Sequence, residues 1–193
     1  STDGTVERLL ERGARVYEER VVPWRFDAAR NLSLSHVPKD ADICVCTDLD
    51  EYFEPGWRSV LEAAWTRHVP RAAGPAAKSG RYLYYWTMKP DGAPEIQFYY
   101  GKIHSRQGFY WRYPVHEYLE YGGAIPREVV WIEGMVLRHG ADPNKPRGSY
   151  LPLLELGVAE DPKSDRMRYY LGREYLYKGE WQKCIDTLTA YLA

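Results

Sequence analysis

The chain has 193 residues, the length of one sizeable domain or of a domain with a small appendage. Apolar residues make up 45% and charged residues 27%, the balance of a globular protein that lives in water. Lys plus Arg (26) nearly equals Asp plus Glu (27), so no global field selects nucleic acid or an anionic membrane, and no apolar run approaches the ~20 residues of a membrane span.

In "STDGTVERLLERG" Thr2 or Asp3 is expected to cap a helix with Val6, Leu9 and Leu10 as its apolar stripe and Gly13 at its end. "ARVYEE" then reads as a short strand. "PWRFDAARNLSLSHV" has helical spacing through Phe26, Ala29 and Leu32, with Pro23 near its start. "DICVCT" is a short apolar strand that stops at Asp48. "EPGWRSVLEAAWTRHV" is a helix with Pro55 in its first turn and Trp57, Val60, Leu61, Ala64 and Trp65 on one side. The alternation of helix and strand implies a parallel α/β sheet.

"PRAAGPAAKSG" (70–80) reads as a loop. The middle is built of aromatic and β-branched runs split by Gly and Pro: "RYLYYWTM", "EIQFYYGKIHS", "GFYWRYPVHEYLEY" and "REVVWIEGMVLRHG". These are expected to be strands. With 17 Tyr and 7 Trp against 4 Phe, many of these rings are expected to line wet clefts, of the kind that suit sugar rings. In the tail, "DRMRYYLGREYLYKGEWQKCIDTLTAYLA" holds two helical patterns meeting at Lys178-Gly179. Leu171, Gly172, Tyr175, Gly179, Trp181, Cys184 and Tyr191 fall where a tetratricopeptide repeat places its packing residues. One such unit cannot bury its own face, so it caps the preceding domain or opens an array.

Three cysteines do not make a disulfide framework. Cys44 and Cys46 share a strand face, where a mutual bridge is geometrically poor, and no further metal ligands lie close by in sequence. Buried thiols in a reducing cytoplasm are the expectation, and the location is read as cytoplasmic.

The chemistry is expected in "DICVCTDLDEYF". Asp48 and Asp50 lie two apart at the end of an apolar strand, where open α/β sheets bind ligands. Two carboxylates with oxygen donors suit Mn²⁺ or Mg²⁺, which would quench their repulsion and bridge to a diphosphate. A solvated acidic turn ahead of the next helix is the plainer alternative. A phosphatase of the haloacid dehalogenase type would want Thr or Val where Tyr52 stands.

The ordered set "STDGT", "FDAARN" and "DICVCTDLDEYFEPGW" resembles the family 2 glycosyltransferases of GT-A fold. With "GFYWRYPVHEYL" and the repeat-like tail it looks like a bacterial subgroup fused to tetratricopeptide repeats, similar to enzymes that glycosylate peptide side chains, cysteine in bacteriocins included. The resemblance implies a GT-A-like mixed sheet flanked by helices over 1–148 and a helical tail over 149–193, with the repeat at about 165–193. It implies metal-dependent transfer of a hexose from a nucleotide-sugar, UDP-linked, to a peptide or glycan, with inversion. The first strand that the family places before "STDGT" is not in the chain, which is therefore expected to be a fragment of a longer protein.

The resemblance also implies roles. Asp48 and Asp50 hold the metal and the nucleotide-sugar, with Asp50 the more direct ligand. Asp3 belongs to the nucleotide side, and Arg30 reaches base or phosphate, against the alternative of a surface salt bridge. Asn31 ties its helix to the adjoining loop. His139 completes the metal shell, or is structural. In "PVHEYLE" Glu117 is the candidate base and His116 the runner-up; on a strand the two would face opposite ways. Lys145 and Arg147 are placed to close over a diphosphate, or are solvated. The alternative from another class is a non-catalytic module in which the aromatic half and the repeat bind peptide. No nucleic-acid partner is expected, and protein contact is expected through the tail.

Overall fold

The computed structural model describes residues 3–68, 74–140 and 150–192. Its element order is α1 (Thr5–Glu11), α2 (Phe26–Ser35), β1 (Cys44–Val45), β2 (Glu51–Phe53), α3 (Trp57–Arg67), β3 (Ala77–Met88), β4 (Pro94–His104), β5 (Phe109–Arg112), β6 (Tyr118–Tyr121), β7 (Arg127–His139), α4 (Tyr150–Glu160), α5 (Asp165–Tyr177) and α6 (Trp181–Leu192). The fold is α/β, with one five-stranded mixed sheet in the order β1-β4-β3-β7-β2 and a separate β5-β6 ribbon. Among the described residues no helix is long and apolar enough to cross a membrane.

The long middle strands form where aromatic and β-branched residues recur. β3 and β4 make an antiparallel hairpin closed at Lys89, whose N–H donates to the Ala93 carbonyl at 2.8 Å, with Gly92 at φ 82. β3 and β7 are parallel. Between the Arg81/Trp131 and Leu83/Val136 partners β3 advances two residues and β7 five. That odd surplus, absorbed at Gly134 (φ 80), carries the inward face from Val130 and Ile132 to Met135 and Leu137. All four stay buried against Tyr82, Tyr84, Ile103 and the Leu61/Trp65 face of α3. The anticipated stripe of α3 is thus the stripe that packs.

Several expectations change. The sheet is mixed rather than parallel: β3/β7 is its only parallel pair among the described strands, because hairpin and edge pairings supply the rest. "ARVYEE" is not a strand. It runs beside α2, where Tyr17 stacks on His36 with centroids 3.9 Å apart and Glu19 lies 3.2 Å from the same ring. α1 buries none of its residues, and Leu9 and Leu10 stay exposed. Its N-cap is Gly4, while the Asp3 side chain accepts from Thr5 N–H at 3.1 Å; Thr2 lies outside the described residues. Within 70–80, residues 70–73 are outside the described residues too, and Ala77–Gly80 open β3 instead of closing a loop. Gly80 answers a packing demand: a Cβ there would sit 2.7 Å from Ile132 Cδ1.

The tail packs as α4 followed by an antiparallel α5/α6 pair turning at Gly179 (φ 73). Gly172 admits Leu188 so closely that a Cβ there would meet its Cδ2 at 2.5 Å. A second core joins Leu154, Leu171, Tyr175 and Cys184 to Val115 of the β5–β6 connection, with Phe26 of α2 against it. The helices therefore cover a face of the preceding segment. All three cysteines are free.

Candidate functional site

β1 and β2 lie at opposite edges of the sheet, so residues 46–50 cross from one edge to the other, over the side of β4 and β3 that carries Lys102 and Tyr84. Four strand spacings amount to about 19 Å, and a fully extended connection of that length reaches only about 20 Å. A turn consumes part of this reach, with Glu51 N–H donating to the Asp48 carbonyl at 3.1 Å. In crossing, the acidic turn passes β4, β3 and β7 and collects a partner from each.

Asp48 is held between two cations. Its Oδ1 accepts from Arg30 Nη2 at 2.6 Å and its Oδ2 from Lys102 Nζ at 2.8 Å. Glu51 lies beneath, its carboxylate oxygens 3.2 Å from Lys102 Nζ. Glu51 Oε1 also accepts from Tyr84 Oη at 3.0 Å, and Oε2 from the Asp48 backbone N–H at 2.8 Å. Lys102 and Glu51 are each 3% exposed, whereas Asp48 is 39% exposed. The acidic turn is thus tolerated because the protein supplies the counter-charges.

The ionisation states follow. Burial alone would lower the Lys102 pKa, but Tyr100, Glu51 and Asp48 outweigh it and raise it. Burial would raise the Asp48 carboxyl; Lys102 and Arg30 overcome that and hold it below the usual carboxylate range. The Cys46 thiol is pushed up by burial despite Arg30 and Lys102, and so remains a thiol at neutral pH.

Arg30 joins this cluster to the β5–β6 connection. Its Nε donates to Glu117 Oε1 at 2.5 Å and its Nη1 to Cys46 Sγ at 3.1 Å. The guanidinium lies 4.7 Å over the Trp111 ring. Asn31 fixes it there by pairing with the backbone of Trp111 in both directions, at 2.8 Å each way. Asn31 thus ties its helix to strand β5.

Glu117 and His116 lie in the connection before β6 and part company. Glu117 enters the Arg30 cluster, 11% exposed. His116 has φ 51 and stacks on Tyr170 of α5 at 3.9 Å and 5°. Burial, then Arg173 and Arg166, lowers its pKa to about 4, so it is neutral at pH 7.

At the far edge Asp50 meets β7. Its carbonyl accepts from Gly140 N–H at 2.6 Å, and its Oδ2 lies 3.6 Å from His139 Nε2. The His139 ring stacks on Trp86 at 4.5 Å, and its Nδ1 lies 3.3 Å from the Trp86 carbonyl. With Nδ1–H donating there, Nε2 presents its lone pair towards Asp50. Two metal bonds of about 2.1 Å close such a gap, and Mg²⁺ typically takes one or two protein carboxylates plus water and substrate phosphate. Asp50 and His139 therefore fit one divalent ion. Among the described residues, no group of three or more His, Cys, Asp or Glu is assembled for a metal, so Asp48 does not join them in a single shell.

Asp3 bonds to Thr5, its Oδ1 accepting from Thr5 Oγ1 at 2.7 Å. Lys145 and Arg147 lie outside the described residues. Sequence reasoning missed Lys102 and the inward role of Glu51. A signal existed for the first: a lone lysine between apolar neighbours in "YYGKIHS" needs a buried acid. None existed for Trp111 under Arg30, a pairing made by tertiary packing. Compared with known protein families and with curated proteins, the chain shows no significant match.

Proposed function

We propose that the chain carries the working face of a metal-dependent glycosyltransferase that moves a hexose from a UDP-linked donor to a peptide or glycan. The observation supporting this is the convergence on one guanidinium. Arg30, Asp48 and Glu117 come from three separate stretches that the family resemblance singled out, and Arg30 bonds both carboxylates. A chance surface salt bridge would not be expected to join two of the other singled-out residues.

In this reading Asp50 and His139 hold Mn²⁺ or Mg²⁺, which when bound supplies charge to the leaving diphosphate. Asp48, fixed by Arg30 and Lys102, borders the donor side. Glu117 takes the proton of the acceptor hydroxyl or thiol as that atom bonds to the sugar C1 and the C1–O bond to the diphosphate breaks. Trp86, 40% exposed and stacked on His139, offers an indole beside the Asp50–His139 pair that suits a sugar ring. The GT-A architecture and the tetratricopeptide identity of α5 and α6 belong to the same proposal.

Glu117→Gln keeps size and hydrogen-bonding reach but removes the base. Against a nucleotide-sugar panel, transfer to a hydroxyl acceptor falls roughly 10²–10⁴-fold. Donor affinity stays within about twofold. Full transfer by the variant would reject Glu117 as base. Peptide binding without nucleotide binding in either metal would favour the non-catalytic module, a reading to which the self-neutralised Asp48 also lends weight.

A further inference from the structure

Helix α5 carries three arginines that the transferase reading does not use; Arg168 donates to the Ala190 carbonyl at 2.8 Å, and the other two lie among tyrosines. Arg166, Tyr170, Arg173 and Tyr177 fall at i, i+4, i+7 and i+11, one stripe of the helix. Arg173 lies 5.0 Å over Tyr170, 5.7 Å over Tyr169 and 5.9 Å over Tyr177. Arg166 lies 5.0 Å over Tyr170 and donates to the His116 carbonyl at 2.9 and 3.1 Å. Neither guanidinium has a carboxylate within ion-pair distance among the described residues, unlike Arg25, Arg30, Arg112 and Arg138. Tyrosine faces orient the two cations and leave their charge unmatched.

We infer that this stripe binds an acidic peptide segment, with two carboxylates three residues apart seated on Arg166 and Arg173. Charge complementarity fixes the sign of the partner. Spacing fixes its form: seven helical residues rise about 10.5 Å, and a polyproline II peptide, which returns to the same face every three residues, covers about 9.3 Å in that span. The partner therefore reads Glu-x-x-Glu or its Asp equivalents, its flanking residues resting on Tyr177, which is 70% exposed, and Tyr169, which is 43% exposed. Two cations on a chain of net charge −1 suit a short acidic segment better than a polyanionic backbone. The inference stands whether or not the transferase proposal holds. If both hold, the stripe lies one residue along from Glu117 and is the acceptor-peptide subsite.

His116 reports occupancy. Its ring faces Tyr170, Arg166 and Arg173 of α5 and Tyr150 of α4. Carboxylates arriving on the two arginines offset the repulsion that opposes its protonation.

The test is fluorescence anisotropy with a labelled ten-residue peptide carrying one Glu-x-x-Glu, beside the Gln-x-x-Gln and Lys-x-x-Lys versions. The acidic peptide should bind and weaken with salt. Arg173→Gln, which removes no hydrogen bond to another described residue, should weaken it on the order of tenfold, and Arg173→Lys should restore most of the loss. Arg58→Gln, which removes a charge on α3, should leave binding unchanged. Proton NMR should show the His116 pKa rising when the acidic peptide is present. Equal binding of the Gln version, equal loss in Arg58→Gln, or an unmoved His116 would overturn the inference. Tighter binding of an oligonucleotide of equal charge would overturn the choice of a peptide.

Discussion

Glu117 and His116 are neighbours in sequence but belong to two regions that handle charge in opposite ways. Around the acidic turn, Arg30 and Lys102 are matched against Asp48, Glu51 and Glu117 at 2.5–3.2 Å. On the α5 face, Arg166 and Arg173 lie against tyrosine rings at 5.0–5.9 Å, with no acid within ion-pair distance among the described residues. Burial explains the difference. Lys102 is 3% exposed and must be paired, because an unmatched ion there would cost several kcal/mol. Arg166 is exposed and Arg173 half-buried, so neither carries the full desolvation cost that Lys102 does. Charge around the acidic turn is committed to the fold, and charge on the helix is available to a partner.

Lys102→Met tests that division most severely. Removing one member of a buried pair leaves Glu51 ionised without a counter-charge, and the expected loss in urea denaturation is about 3 to 5 kcal/mol. Glu51→Gln added to it should recover part of that loss. Arg173→Gln on the helix face should cost about 0.5 kcal/mol or less. Similar losses in the two single variants would erase the distinction between committed and available charge.

A smaller effect concerns pH. His116 titrates near 4 in the folded protein against 6.5 in its ordinary state, so the unfolded chain takes up its proton first as pH falls. Stability is unaffected by this group above 6.5 and declines from there to about 4. His116→Phe keeps a ring on Tyr170 and should flatten that part of the stability profile, measured by thermal melts. Asp48 acts in another window. Its carboxyl is depressed by Lys102 and Arg30, so its contribution is complete above the ordinary carboxylate pKa and is lost only below it. A His116→Phe profile as steep as the wild type would place the titrating group elsewhere.

Much of the scaffold was legible because local pattern and burial agree there. The β3, β4 and β7 runs are aromatic and β-branched, the face of α3 repeats at helical spacing, and Gly179 marks the turn between α5 and α6. Where pairing partners decide, the sequence was silent. Glu51–Phe53 is a strand only because Leu137, Arg138 and His139 of β7 lie alongside it. "ARVYEE" has strand composition, yet its side chains serve His36. The site was legible as a set of residues rather than as an arrangement. Arg30, Asp48 and Glu117 meet, and Asp50 meets His139, but the crossing from one sheet edge to the other that separates these two groups is a property of topology. The buried lysine beneath them was visible only as an oddity.

The most direct test of the proposed function is calorimetric titration of UDP-hexoses and Mn²⁺ into the wild type and Asp50→Asn, both confirmed folded by circular dichroism. Asn removes the charge with little change of shape, and it leaves the Arg30–Asp48–Glu117 cluster intact. The account predicts donor binding that requires Mn²⁺ in the wild type and is at least about tenfold weaker in the variant. Mn²⁺-dependent binding of equal strength in both proteins would contradict it.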